Sequence, residues 1–143
     1  MVTIVKQARF SFWRFREIYE FPLPPGRGNF IQKILAFYKT RPLKNVSADT
    51  ESVQFTRGGV LFGLWFSNHP RERQNVSIEI EDGIVRVEFL CTLGIGGHVR
   101  VRTSRLFLEV QRLEAYLGGP VAASLRKRMA LPQPLYRFLY WAY

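Results

Sequence analysis

Acid–base side chains are scarce in this sequence. It holds two histidines, His69 and His98, two aspartates, Asp49 and Asp82, and a single cysteine, Cys91. One cysteine excludes an intramolecular disulfide framework and any multi-cysteine zinc site. Long hydrophobic runs are missing too. The longest, 60–66, falls far short of the roughly 20 residues a helix needs to cross a bilayer. No apolar stretch of secretory type opens the chain, because Lys6 and Arg9 follow its first five residues. The Asn-Val-Ser sequons at Asn45 and Asn75 therefore read as accidental. Residues 1–16 carry four cations and no acid, which weakly resembles an organelle-targeting segment. The expected location is cytoplasmic or peripheral at a membrane surface and not secreted, with organelle targeting left open.

What is abundant is positive charge. The 143 residues carry 21 Lys/Arg against 11 Asp/Glu, a formal charge of +10, while 47% of them are hydrophobic. That composition suits one folded domain. The charge is uneven: +6 in residues 1–50, zero in 51–117 and +4 in 118–143. A neutral middle between basic ends reads as a self-contained core with flanks that meet something acidic. The expected division is one α+β domain over 1–118, with 1–22 as a loosely attached segment of it, and a basic aromatic tail over 119–143.

The clearest local signal runs from Asn75 to Leu93. Val76, Ile78 and Ile80 alternate with polar residues, then Asp82-Gly83 supplies a preferred type I′ turn pair, then Val85, Val87, Phe89 and Cys91 alternate again. Pairing across this turn sets Ile80 opposite Val85, Ile78 opposite Val87 and Val76 opposite Phe89, with Glu79 against Arg86 on the other face. A one-residue slip would oppose polar to apolar side chains, so the register is specified. A second hairpin, 52–66, is expected about Gly58-Gly59, pairing Phe55 with Phe62 and Val53 with Leu64. A fifth strand is expected at 98–102, reached through the glycine-rich turn 94–97.

Two helices are expected. One covers 29–39 with Asn29 as cap and Phe30, Ile31, Ile34, Leu35 and Tyr38 on one side, after a loop stiffened by Pro24-Pro25. The other covers 104–117, capped by Thr103 or Ser104, with Phe107, Val110, Leu113 and Leu117 as its stripe, widened by Leu106 and Tyr116. Gly118-Gly119-Pro120 stops it. Residues 8–21 read as two strands broken near Trp13, with a helix through Phe12, Phe15 and Tyr19 as the other option. The fold class is thus α+β: an antiparallel meander of about five strands packed by helices.

No residue combines into a catalytic, cofactor or metal motif. His69 reads as a solvated loop residue, His98 as structural and Cys91 as a small core residue in phase with its strand. The expected function is a non-enzymatic basic interaction module: an accessory subunit or assembly factor docking on an acidic protein or a membrane-associated complex. The residues assigned to docking are Arg9, Arg14, Arg16, Arg126, Lys127, Arg128, Arg137, Tyr140 and Trp141, since arginine and aromatic side chains are the usual interface anchors. Two alternatives remain. One is RNA or single-stranded nucleic-acid binding, for which aromatics interleaved with arginines over 10–16 would stack bases. The other is an apolar-ligand cup lined by Trp65 and Phe66.

Overall fold

The computed structural model of the chain describes residues 1–11, 14–26, 28–40, 42–58, 73–92 and 99–122. In order these form β1 (Thr3–Ser11), β2 (Arg14–Pro22), α1 (Phe30–Tyr38), β3 (Lys44–Ala48), β4 (Ser52–Arg57), β5 (Gln74–Glu81), β6 (Ile84–Thr92) and α2 (Val99–Tyr116). The six strands make one sheet in the order β1-β2-β6-β5-β4-β3, antiparallel at every junction. This is an α+β fold. β3 to β6 form a meander, and the N-terminal hairpin adds to its far side through β2. The connection from β2 to β3 must cross β6, β5 and β4, and α1 makes that crossing over one face.

The β5–β6 hairpin has the register its sequence specifies. Ile80 pairs with Val85, Ile78 with Val87, Val76 with Phe89 and Glu79 with Arg86. Asp82 and Gly83 both take positive φ, 51° and 73°, as a type I′ turn requires. Inward residues of β2, β4, β5 and β6 then fall in rows across the sheet. Tyr19, Val87, Ile78 and Val53 form one row, and Glu17, Phe89, Val76 and Phe55 the next. All eight are buried. Of residues 8–21, Ala8 to Ser11 belong to β1 and Arg14 to Phe21 to β2, while Phe12 and Trp13 lie outside the described residues.

α1 begins where Asn29 accepts a hydrogen bond from the Gln32 backbone N–H, and it buries Ile31, Ile34, Leu35 and Tyr38 on the sheet. α2 ends as glycine-rich helix ends do. Gly118, at φ 100°, donates to Ala115 and Gly119 donates to Glu114, which closes the last turn. A Cβ on Gly119 would come within 2.7 Å of the Glu114 side chain and 2.9 Å of its carbonyl oxygen, so a side chain there would force the turn open.

Two expectations are corrected. The stretch 98–102 is not a fifth strand: Val99 to Arg102 form the first turn of α2. Four alternating residues carry too little period to separate strand from helix. The N-terminal cap expected at Thr103 or Ser104 moves with it, because both lie inside the helix. The stripe itself also shifts. Leu106, Leu108, Val110, Leu113 and Leu117 are buried, Phe107 is half-buried and Tyr116 is exposed. Of the hairpin 52–66, the first half is β4. Its pairing partners are β5 on one side, where Phe55 meets Val76 and Val53 meets Ile78, and β3 on the other. The second half, with Phe62, Leu64, Trp65 and Phe66, lies outside the described residues, as do His69, His98 and the turn 94–97. β3 is a strand the sequence did not announce: all five of its residues are exposed, so no buried alternation marks it.

Candidate functional site

Polar residues are not confined to the surface. Inward positions on three strands carry Glu17, Arg57 and Gln74, in phase with the apolar residues around them. Each is buried, as are Glu109, Gln111 and Glu114 on α2. Glu17, Gln74, Arg57 and Glu109 gather at one end of the sandwich, in the row of Phe15, Cys91, Gln74 and Arg57 and the row beside it, whereas Glu114 lies toward the other end, 3.0 Å from the N-terminal amine of Met1.

Arg57 is the centre of this group. It donates from Nη1 to Glu109 Oε1 and from Nη2 to Glu109 Oε2, both at 2.9 Å, and from Nε to Gln74 Oε1 at 2.7 Å. Its guanidinium carbon lies 5.7 Å from the centre of the Tyr38 ring and 5.6 Å from that of Phe89. One side chain from β4 thus ties together β5, β6, α1 and α2. The fork geometry of arginine matches a carboxylate in two parallel bonds, which lysine cannot do. Beside it the Tyr19 hydroxyl donates to the Glu17 carboxylate in a short buried bond. Burial and the neighbouring Glu17 charge hold the Tyr19 phenol far above its ordinary value, so it remains a donor. Cys91 is fully buried in the same region, as its place in the alternation implies. Among the described residues no group of three or more His, Cys, Asp or Glu is placed to hold a metal ion, and no helix is long and apolar enough to cross a membrane.

The face of the sheet opposite the helices is different. Arg16 grips Glu88, with Nε 2.7 Å from Oε1 and Nη2 2.9 Å from Oε2, and Arg86 grips Glu20 at 2.7 Å. Between β3 and β6 lies an open trough of about 570 Å³, lined by amide, hydroxyl and charged side chains.

The cations assigned to docking separate accordingly. Arg16 is taken up by Glu88, which pushes its guanidinium pKa still higher through the hydrogen bond and the adjacent charge. Arg9 lies on β1, the edge strand, opposite Phe15. Arg14 is exposed at the start of β2, opposite Ser11. Arg126, Lys127, Arg128, Arg137, Tyr140 and Trp141 lie outside the described residues. Lys6, not among the assigned residues, joins Arg14 as an exposed cation of this hairpin, and no ion pair engages either of them among the described residues. Ile4 and Val5 next to Lys6 are 45% and 49% exposed. The register slips between Ile4 and Lys6, so Val5 is an extra residue that bends this edge.

The Arg57 group escaped the sequence reading because its members are far apart in the chain. A signal was present nonetheless. Arg57 continues the inward phase of Val53 and Phe55, and Glu17 stands in the inward phase of Phe15, Tyr19 and Phe21; charges in such positions are rare unless paired inside. No known protein family, characterised protein or solved structure matches the chain.

Proposed function

We propose that the protein is a non-enzymatic interaction module, an accessory subunit or assembly factor, which docks on an acidic protein through the edge of its N-terminal hairpin. The observation that carries this reading is the state of the charges there. The hairpin's two acids are committed elsewhere, Glu17 to the interior and Glu20 to Arg86. Arg16 is committed to Glu88. Among the described residues no ion pair engages Lys6, which adjoins the exposed apolar pair Ile4 and Val5, or Arg14 at the far end of the same hairpin. Cations flanking exposed apolar side chains on an edge strand protect it from promiscuous pairing and also suit an acidic surface with an apolar centre.

The test is capture of the full-length protein from its own source with nuclease present, compared with the Lys6→Glu/Arg14→Glu variant. The reading expects a stoichiometric protein partner that survives nuclease, is lost at high salt and is lost in the variant, with the thermal melt unchanged. Loss of everything on nuclease treatment would turn the reading to nucleic acid, whose affinity falls steeply with salt as counterions are released. A partner retained in full by the variant would remove this edge as the docking surface.

A further inference from the structure

The trough on the sheet face opposite the helices has an ordered floor. Gln54 and Thr56 of β4 stand opposite Ser77 and Asn75 of β5. On the other side of β4, Ser47 stands opposite Gln54, and Asn45 lines the trough from within the register slip of β3, at φ 51°. Amides and hydroxyls therefore alternate both along each strand and across three strands, at the sheet's spacings of about 4.8 Å and about 6.8 Å. The two Asn-Val-Ser stretches, at Asn45 and Asn75, form two edges of this array.

We propose that this trough binds a neutral oligosaccharide. An amide and a hydroxyl each donate and accept, as a sugar hydroxyl does, so adjacent pairs of them match adjacent hydroxyls of a sugar ring. The Thr56 hydroxyl donates to Asn75 Oδ1 at 3.0 Å, which leaves the Asn75 amide nitrogen as a donor. Charge does not favour a polyanion or a polycation. Arg73 and Glu79 bracket the array at opposite ends of the β5 line, and the other lining carboxylate, Glu88, is satisfied by Arg16. An extended peptide is also disfavoured. The main-chain groups of β4 and β5 are spent on their neighbours on both sides, so a peptide lying on this face gains no strand-type hydrogen bonds. Leu90, the outward apolar side chain in the lining, offers a surface for the C–H face of a ring. Among the described residues the lining carries no outward aromatic platform, so affinity is weak. This site does not rest on the docking edge, since neither Lys6 nor Arg14 lines it.

The experiment is a titration of the full-length, isotopically labelled protein with maltohexaose, cellohexaose and chitohexaose, each to about 20 mM, followed by backbone amide NMR. At least one should give saturable shifts with a Kd of about 1–10 mM, centred on Gln54, Thr56, Asn75 and Ser77. In the Gln54→Leu/Ser77→Val variant the affinity should fall about tenfold or more, with the remaining spectrum unchanged. Both replacements are apolar strand formers at outward positions; should that variant not fold, Thr56→Val alone serves the same comparison. Absence of saturable shifts with all three sugars, shifts centred elsewhere, or shifts that survive the substitutions would overturn the proposal. None of these outcomes bears on Lys6 and Arg14.

Discussion

Two arginine–carboxylate pairs in this protein make equally close contacts in opposite surroundings. Arg57 meets Glu109 with both side chains about 5% exposed, at 6% and 4%. Arg16 meets Glu88 with both about one-third exposed, at 30% and 31%. Each pair has two close contacts of 2.7–2.9 Å. The first is enclosed by aromatic rings and holds the helix layer to the sheet. The second lies along the solvent face of neighbouring strands and joins residues that the backbone ladder already holds. Water makes the difference. Outside, it screens the charges and solvates either partner left alone. Inside, an orphaned partner has no substitute, so the pair is costly to break even though forming it cost desolvation.

The largest effect should come from breaking the inner pair on one side only. Arg57→Ala leaves the buried Glu109 carboxylate without its paired guanidinium and should cost about 3–5 kcal/mol in urea denaturation. Replacing both partners by Met and Leu should recover much of that loss, since an apolar pair of similar volume leaves no stranded charge.

A smaller effect is expected from Tyr19→Phe, which removes the donor to Glu17 and should cost about 1–3 kcal/mol. The same residue gives a pH signature. Its phenol is held above the ordinary value of 10.0, so the folded state keeps a proton that the unfolded chain releases. Stability is therefore full below pH 10 and falls as pH rises beyond it. The Tyr19→Phe variant should show a shallower alkaline loss than the natural protein when urea midpoints are compared from pH 8 to about 11.

The smallest effect belongs to the outer pair. Arg16→Ala should leave the urea midpoint within the scatter of replicate melts, and any difference should vanish in high salt. A large, salt-insensitive loss would mean that the outer pair carries weight comparable to the inner one, and the contrast between the two regions would fail.

The same contrast explains what was legible in the sequence. The β5–β6 register could be read residue by residue because one face is apolar, the other polar, and Asp82-Gly83 fixes where the chain turns. α1 was legible from Asn29 and its stripe, and the end of α2 from Gly118-Gly119. β3 was not, because Lys44 to Ala48 bury nothing and pair with β4 through the backbone alone. The start of α2 was misread because Val99 and Val101 alternate with arginines over too few residues. The Arg57–Glu109 pair spans 52 positions of sequence, and nothing local to either residue names the other. What local reading could have flagged was the anomaly: a charge standing where its neighbours in phase face the core. Of the docking residues, Arg16 illustrates the converse. Its composition was noticed, and its partner, Glu88 on the neighbouring strand, came only with the β2–β6 pairing.

The most direct test is a double-mutant cycle on Arg57 and Glu109 by urea denaturation, with Arg16 and Glu88 as the matched outer cycle. The inner double alanine variant should cost less than the sum of its two single variants by about 1–3 kcal/mol, while the outer cycle closes to zero. An inner cycle that also closes to zero would show that Arg57 and Glu109 contribute independently, and that no buried clasp holds the helix layer to this sheet.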